Sequence, residues 1–207
     1  FTEATKLNPN NLAAREGLSE AYTLRANSVY NTEGAFAAIP LYELAIKFNE
    51  RNDSAYAGMG TAYDELEQSD KAFESYEKAL SINPDLSDLY SPVGIVYFQR
   101  GEIARADDFL SRAVAVNADD DQAQYLMGLI RYKQNRTAEA QAAFEKSIRV
   151  KPTAESHYYL GEVFDRLDRV DDSIREYNRA IALNPKYPEA WFDLGAAYYN
   201  RKRWDDA

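Results

Sequence analysis

Five glycines recur along the chain at an almost constant interval, and this interval restricts the possible folds more than any other feature. Gly60, Gly94, Gly128, Gly161 and Gly195 are separated by 34, 34, 33 and 34 residues. A period of this length is the signature of a chain built from stacked copies of one small supersecondary unit. We therefore expect a single repeated unit to organise most of the molecule.

Other residue types repeat in phase with the glycines. After Gly60, for example, come Tyr63, Ala72, Tyr76 and finally Pro84, and similar residues follow most of the other glycines. Apolar residues recur within each copy at intervals of three and four, which is helical periodicity. Small residues then stand where two antiparallel helices cross closely, and the large residue fills the space opposite. The proline ends the second helix because it cannot continue it.

At these positions the sequence resembles the tetratricopeptide-repeat (TPR) family. The segments AWFDLGAAYY, at 190–199, and AFESYEKALSINP, at 72–84, are similar to the two halves of the family consensus. The resemblance extends over essentially the whole chain. It implies an all-α fold, a right-handed superhelical solenoid of antiparallel helix pairs, with a role in protein–protein interaction. Asn-Pro pairs at the repeat ends are typical of bacterial arrays.

Counting outwards from the glycines divides the chain into a single TPR array with a partial copy at each end. We expect about seven additional residues within Leu24–Gly34, and favour a one-turn extension of each helix there over a protruding loop. Because both ends fall inside a repeat, we interpret the chain as a fragment of a longer array, or as one whose ends pair with other chains. The predicted segments are 1–11 (end of a truncated repeat), 12–52 (repeat 1), 53–86 (repeat 2), 87–120 (repeat 3), 121–153 (repeat 4), 154–187 (repeat 5) and 188–207 (truncated repeat 6).

Three residues depart from the repeat pattern, and each receives a structural interpretation. Pro92 falls in the first turn of an expected helix, so we predict that this helix starts late or bends there. Arg131 replaces an aromatic residue, and its stem should lie on apolar surface while its head reaches solvent or a carboxylate. His157, the only histidine, takes a position held elsewhere by tyrosine or tryptophan and should pack between hairpins.

No pattern in the sequence indicates catalysis, a cofactor or a metal. Phosphate-binding loops, nucleophile elbows and His-Glu-x-x-His motifs do not occur, so we predict that the chain is not an enzyme and needs no cofactor. With no cysteine, disulfides and thiolate metal sites are excluded, which is compatible with the cytosol, which we favour, and with the periplasm. The run Asp119–Asp121 lacks the glycine and distal glutamate of a calcium loop and should cap the next helix.

Charge and hydropathy restrict the partners. The formal net charge of −10 disfavours a nucleic acid, because such a protein repels a phosphate backbone. No apolar run approaches the roughly 18 residues that span a bilayer, so we expect no membrane insertion.

The resemblance implies that the first helix of each copy lines a concave groove, with contacts at repeat positions 2, 5, 6, 9, 12 and 13 when each glycine is position 8. On six first helices these positions hold ten acidic and two basic residues, of 34 and 24 in the chain. Most of the charge imbalance therefore maps to this groove, whose centre is aromatic. The candidate partner-binding residues are Glu16, Glu20, Asp64, Glu65, Ile95, Phe98, Tyr125, Leu129, Tyr132, Tyr158, Glu162, Asp165, Phe192 and Tyr199.

We therefore predict a non-catalytic scaffold that binds a peptide or partner protein carrying basic and apolar residues. The same residues also fit a solvated acidic face combined with helix packing. Two alternative functions stay open. One is a homo-oligomerising scaffold that associates through the array ends or the segment Leu24–Gly34. The other is a targeting or regulatory TPR region of a larger multidomain enzyme.

Overall fold

The computed structural model describes residues 8 and 11–200, except for the side chain of residue 200. Apart from positions 8 and 11, the predicted partial repeat at 1–11 lies outside the described residues, and so does 201–207. The described part contains no β-strand, and a short 3₁₀ turn at Ser87–Leu89 precedes the fifth helix. Its α-helices are α1 (Leu12–Glu33), α2 (Ala35–Phe48), α3 (Asp53–Glu65), α4 (Ser69–Ile82), α5 (Tyr90–Gln99), α6 (Ile103–Val116), α7 (Asp121–Lys133), α8 (Thr137–Val150), α9 (Ala154–Arg166), α10 (Val170–Leu183) and α11 (Pro188–Asn200).

The chain divides into two compact units, residues 1–93 and 94–207, here called unit 1 and unit 2. Unit 1 contains α1 to α4 and the start of α5, and unit 2 contains the rest of α5 and α6 to α11. Consecutive helices pack in pairs, α1 with α2 and α3 with α4 in unit 1, and α7 with α8 and α9 with α10 in unit 2. The predicted all-α fold of paired helices is confirmed.

The repeated glycines are the points where the two helices of a pair approach most closely. A methyl group added at Gly161 would lie 2.5 Å from the Tyr177 ring, and one at Gly128 would lie 2.6 Å from the Phe144 ring. Both distances are shorter than van der Waals contact, so only glycine fits at this crossing. The same relation joins two further pairs, Gly60 with Tyr76 and Gly94 with Leu110.

Side chains at the start of the first helices satisfy amides that have no partner inside the helix. The Asp120 carboxylate accepts a hydrogen bond from the N–H of Ala123 at 2.9 Å, so this member of the predicted aspartate run caps α7. Asn11, Asn52 and Thr153 cap α1, α3 and α9 in the same way. By contrast, the second helices α2, α4, α6, α8 and α10 have no side-chain cap.

The second helices are instead entered through a tight turn with a left-handed residue at repeat position 15. Its φ is 57° at Glu67, 76° at Gly101, 60° at Asn135 and 56° at Asp168. The turn also recovers carbonyls of the preceding helix; the N–H of residue 68, for example, donates to the carbonyl oxygen of residue 63 at 2.9 Å. Only one of the four left-handed residues is a glycine, so this repeated feature leaves little trace in the sequence.

The additional residues of the first repeat extend α1 alone. This helix has 22 residues, against 13 in α3, whereas α2 keeps the 14 residues of the other second helices. The expectation that each helix gains one turn is therefore wrong, because all the additional helical residues belong to α1. The extension is stabilised by packing, because Ala26 is fully buried against α2 and Val29 and Tyr30 pack beside it.

Pro92 and Arg131 behave as their positions predict. The helix that contains Pro92 begins at Tyr90, after the 3₁₀ turn, so the proline lies in its first turn, where a missing N–H costs nothing. Arg131 is buried, and two of its guanidinium nitrogens each lie 2.7 Å from an oxygen of Asp107, on α6. This hydrogen-bonded pairing lowers the pKa of the Asp107 carboxyl.

The left-handed turns generate a prediction about stability. Glu67→Gly should increase the free energy of unfolding by about 1 kcal/mol, because glycine adopts positive φ without steric cost. Gly101→Ala should decrease it by about 1 kcal/mol through the backbone alone, because nothing lies within 4 Å of the added carbon. Urea unfolding followed by circular dichroism measures both changes. The control is Glu67→Ala, which removes the charge and keeps the strain; a gain equal to that of Glu67→Gly would contradict the prediction.

Candidate functional site

The predicted binding residues of unit 2 lie mostly on three first helices, α7, α9 and α11. They are Tyr125, Leu129, Tyr132, Tyr158, Glu162, Asp165, Phe192 and Tyr199. Ile95 and Phe98 lie on α5, where both are half-buried, and the Phe98 ring has the ammonium of Lys133 5.7 Å from its centre. Leu129 is only 8% exposed, so it packs in the interior and we exclude it from the candidate surface.

Tyrosine hydroxyls and carboxylates pair repeatedly on these helices. The Tyr132 hydroxyl donates to Oε2 of Glu162 at 2.6 Å, which joins α7 to α9. The Tyr158 hydroxyl donates to Oδ2 of Asp193 at 2.9 Å, which joins α9 to α11. Each first helix therefore contributes a tyrosine to the carboxylate of the next one.

A third tyrosine reaches the same carboxylates from a second helix. Tyr177 on α10 is completely buried, and its hydroxyl lies 2.7 Å from Oδ2 of Asp165 and 3.2 Å from Oε1 of Glu162. We call the set Tyr132, Tyr158, Tyr177, Glu162, Asp165 and Asp193 the tyrosine–carboxylate network. The sequence predicted two of its tyrosines and two of its acids as site residues. It missed Tyr177, which it assigned to packing alone, and it counted Asp193 among the ten groove acids without selecting it as a site residue.

The tyrosines of the network remain protonated donors. Burial, followed by the hydrogen bond to Glu162, raises the pKa of Tyr132 to about 12. Burial likewise raises the pKa of Tyr158 and Tyr177, and their carboxylate partners raise it further. A hydroxyl with a raised pKa holds its proton at neutral pH, so these groups orient the carboxylates without adding charge.

The carboxylates of the network carry unbalanced negative charge. Burial raises the pKa of the Asp193 carboxyl, and the charges of Glu162, Asp165 and Glu189 raise it further against the opposing hydrogen bond from Tyr158. In the described part of the chain, the ion pairs of unit 2 involve other carboxylates, and no lysine or arginine pairs with any of these four acids. The network is therefore an anionic surface whose counter-charge has to come from outside those residues.

The basic residue beside the network is directed towards an aromatic ring. The guanidinium carbon of Arg166 lies 3.4 Å from the centre of the Tyr132 ring. One of its nitrogens donates to the carbonyl oxygen of Tyr132 at 2.8 Å and to the side-chain oxygen of Asn135 at 3.1 Å. Arg166 thus braces α7 against α9 rather than neutralising a carboxylate.

A cavity opens at the α11 side of the network. It has a volume of about 440 Å³ and is lined by Tyr158, Pro188, Glu189, Phe192 and Asp193. We call it the α11 pocket. The Phe192 side chain is 77% exposed, so the pocket offers apolar aromatic surface to solvent next to two carboxylates.

Other groove aromatics contribute to packing as well as to surface. Tyr125 lies 6.0 Å from Phe144 and 6.2 Å from Tyr159, measured between ring centres, and Tyr158 lies 5.0 Å from Tyr187. The four tyrosine rings are half-buried, and Phe144 is completely buried. Helix packing therefore applies to these residues, and contact of Tyr125 and Tyr158 with a partner stays a prediction.

Unit 1 carries its own acidic groups in a different arrangement. Glu16 and Glu20 line a cavity of about 460 Å³ together with polar residues of α1, α3 and the preceding turn, among them Asn27, Arg51 and Asn52. This cavity contains an arginine and several amides, so its charge is more nearly balanced than that of the network in unit 2.

The remaining predicted acids of unit 1 accept from tyrosines. The Glu65 carboxylate accepts from the hydroxyl of Tyr30, whose pKa this bond raises to about 12, and Asp64 lies 3.5 Å from the Tyr76 hydroxyl. Sequence reasoning missed Tyr30 because it lies on the extension of α1, beyond the repeat numbering.

His157 takes part in a buried polar pair inside one hairpin. Its Nδ1 lies 2.7 Å from Oε2 of Glu176, and the other oxygen of Glu176 accepts from Arg179 at 2.6 Å. Among residues 8 and 11–200, no cluster of three or more histidine or acidic side chains has the arrangement of a metal site. None of the helices in this part of the chain is long and apolar enough to cross a bilayer.

Comparison with known proteins identifies the class. Tetratricopeptide-repeat profiles match residues 54–86, 125–188 and 164–207, which together cover more than half of the sequence, and the chain belongs to the tetratricopeptide-repeat family. Members of this family are protein-interaction scaffolds. No curated protein sequence matches the chain significantly.

Solved structures give the same fold. YrrB, described as a TPR protein with an unusual peptide-binding site, matches with a TM-score of 0.71 and 23% identity over 93% of this chain and 96% of its own. A MamA structure matches with a TM-score of 0.64 and 22% identity over 83% and 94% of the two chains. MamA from Desulfovibrio magneticus RS-1 gives 0.62 and 18% over 82% and 96%. At these identities the likeness establishes the fold alone.

The unbalanced charge of the network generates a prediction about stability. Asp193→Asn should raise the free energy of unfolding at pH 7 and low salt, because it removes repulsion among neighbouring acids. We expect a gain of only roughly 0.5 kcal/mol, because solvent screens these partly exposed charges. Since the folded-state pKa of Asp193 is raised, its charge destabilises the fold above that pKa, and the penalty is relieved as the pH falls through it. The difference in free energy of unfolding between the variant and the unaltered protein should therefore shrink in acid. It should also shrink in about 0.5 M salt, because salt screens the repulsion.

Urea unfolding at several pH values measures this effect. The matched control is Glu74→Gln, which removes the same charge from an exposed position on α4. A control that gains as much stability as Asp193→Asn would show that the effect comes from the overall net charge and not from the network.

Proposed function

We propose that the chain is a non-catalytic scaffold whose tyrosine–carboxylate network binds a peptide segment or partner protein carrying basic and apolar residues. The observation that carries the proposal is the set of carboxylates on α9 and α11 that tyrosines orient and no described cation balances. Carboxylates held close together repel one another, and a partner's cation relieves this repulsion on binding. Complementary charge also steers encounter and selects against acidic partners.

Exposed aromatic side chains beside the network supply the apolar part of the surface. Phe192 and Tyr199 on α11 are 77% and 57% exposed. They are seven residues apart, about two turns of the helix, and thus project from one face. Aromatic side chains that become buried at an interface carry a large share of binding energy, while the surrounding charges contribute mainly to specificity and rate.

The hydrogen bonds within the network favour binding by fixing the acceptors in advance. Each of Glu162, Asp165 and Asp193 already accepts from a tyrosine hydroxyl, so its side chain has lost much of its rotational freedom in the free protein. A partner then meets oriented acceptors and loses less entropy on association. The peptide-binding site for which YrrB is described lends support at the level of the fold. In a larger multidomain enzyme, the same surface would serve as a targeting region.

Self-association is a second candidate function, and a separate surface favours it. On α2 of unit 1, Phe36 is 81% exposed, and Pro40 and Leu44 follow it at four-residue intervals on the same face of the helix. A second copy of the chain would cover this apolar stripe. Light scattering over a concentration series tests it: a constant 23.5 kDa would rule it out, and a rising mass that falls in Phe36→Ser would support it.

The binding proposal predicts a peptide preference. On an array of nonapeptides that combine Arg or Lys with Leu or Phe, the chain should bind the basic and apolar members and ignore acidic ones. Glu162→Gln combined with Asp193→Asn should weaken binding about tenfold or more, because paired charges at an interface are lost. Binding should also weaken with added salt. Fluorescence anisotropy with a labelled array hit measures the affinity.

The matched control for this test combines Glu43→Gln with Glu74→Gln, which removes two charges from exposed positions on the second helices α2 and α4. The control should bind as the unaltered protein does. Equal losses in both double variants, or retention of acidic peptides, would overturn the proposal that the network is the binding surface.

A further inference from the structure

Resting on the function proposed above, we infer that the α11 pocket accepts a single arginine side chain of the partner, with its guanidinium stacked on aromatic surface and hydrogen-bonded to carboxylates. The pocket combines the two kinds of group that such a side chain needs. Tyr158 and Phe192 supply aromatic rings, and Glu189 and Asp193 supply carboxylates. A cavity of about 440 Å³ leaves room for the guanidinium and its aliphatic stem.

The two carboxylates are placed to act together. Glu189 and Asp193 are four residues apart on α11, so they lie on the same face of the helix, and both line the pocket. The Tyr158 hydroxyl occupies Oδ2 of Asp193, which leaves Oδ1 as an acceptor for a bound cation. Glu189 lies in the first turn, where the helix dipole offsets part of its charge, whereas Asp193 lies a full turn further along. Both carboxylates can therefore accept hydrogen bonds from a cation in the pocket.

The neighbouring carboxylates strengthen the attraction for a cation. Burial raises the pKa of the Asp193 carboxyl, and the negative charges of Glu162 and Asp165 on α9 raise it further. Within the described residues these acids have tyrosine partners and no basic ones. A cation entering the pocket would thus be attracted by four carboxylates, of which two are within reach of direct hydrogen bonds.

The chain itself contains the proposed arrangement one repeat earlier. The Arg166 guanidinium stacks on the Tyr132 ring at 3.4 Å and uses its edge to donate to oxygens of residues 132 and 135. Tyr132 also donates its hydroxyl to a network carboxylate, as Tyr158 does in the α11 pocket. A tyrosine held by a carboxylate therefore already presents its ring to a guanidinium in this surface.

Arginine suits the pocket better than lysine for geometric reasons. The guanidinium is planar, so its face can stack on a ring while its five N–H groups donate in the plane to two carboxylates. It is also more weakly hydrated than an ammonium, so its transfer into an aromatic pocket costs less. A lysine ammonium is a compact point charge that would pair with the carboxylates but could not stack on the rings.

The test is an NMR titration of ¹⁵N-labelled protein with N-acetyl-arginine amide and with the matching lysine and citrulline compounds. Citrulline has nearly the shape of arginine but no charge. We expect saturable shifts of the amide signals of residues 189–193 with the arginine compound, binding about fivefold weaker with lysine, and no saturation with citrulline. Equal shifts with citrulline would show that charge is not recognised, and equal affinity for lysine would overturn the assignment to arginine.

Three variants localise the effect. Phe192→Ala and Asp193→Asn should each weaken binding of the arginine compound about tenfold, and neither removes a buried core side chain. Glu74→Gln, at an exposed position on α4 in unit 1, should bind as the unaltered protein does. An arginine compound that binds all three variants equally would overturn the pocket.

The amide titration and the peptide array fail in different ways. Array binding without any shift at residues 189–193 would overturn the arginine pocket and leave the proposed function standing. Shifts at those residues with no array binding would overturn the proposed function, on which the pocket's role in partner recognition rests.

Discussion

The contact between a glycine on one helix and a large side chain on its partner is the constraint on which the rest of the structure depends. It sets the separation of the two helices in a pair, because the Tyr177 ring occupies the space that any side chain at residue 161 would need. The same contact also positions a hydrogen-bonding group. The same ring that fills this space directs its hydroxyl to Asp165 and Glu162, so the tyrosine–carboxylate network is built directly on the packing of the core.

This dependence explains how much of the fold could be predicted from sequence. The periodic glycines and their large partners are local, repeated signals, and they correctly predicted an all-α fold of paired helices. The extension of α1 could be located but not assigned, because its residues are compatible with lengthening either helix; packing of Ala26 against α2 decides it. The left-handed turns at Glu67 and Asp168 were missed because the stabilising hydrogen bonds of the turn offset the cost of a non-glycine residue there.

The candidate site shows a different limit. Repeat numbering predicted an acidic surface with aromatic residues, but it assigned each position to one role. Tyr177 both packs in the core and donates a hydrogen bond. A sequence pattern that could have predicted this is a tyrosine at repeat position 24 together with an aspartate at position 12. Tyr76 and Asp64 show the same pattern, with a longer distance of 3.5 Å between the hydroxyl and the carboxylate. Leu129 shows the opposite error, because a position that faces a groove in general is here covered by neighbouring side chains.

The tyrosines of the network order its carboxylates without neutralising their charge. Carboxylates this close would be stabilised by a lysine or arginine of the chain itself, but an internal cation would compete with any partner. A hydroxyl whose pKa is raised donates a hydrogen bond and keeps its proton, so it satisfies the oxygens while leaving their charge unneutralised. Within the described residues the network is consequently ordered and not neutralised by a basic side chain, and this combination supports the proposed recognition of a basic partner.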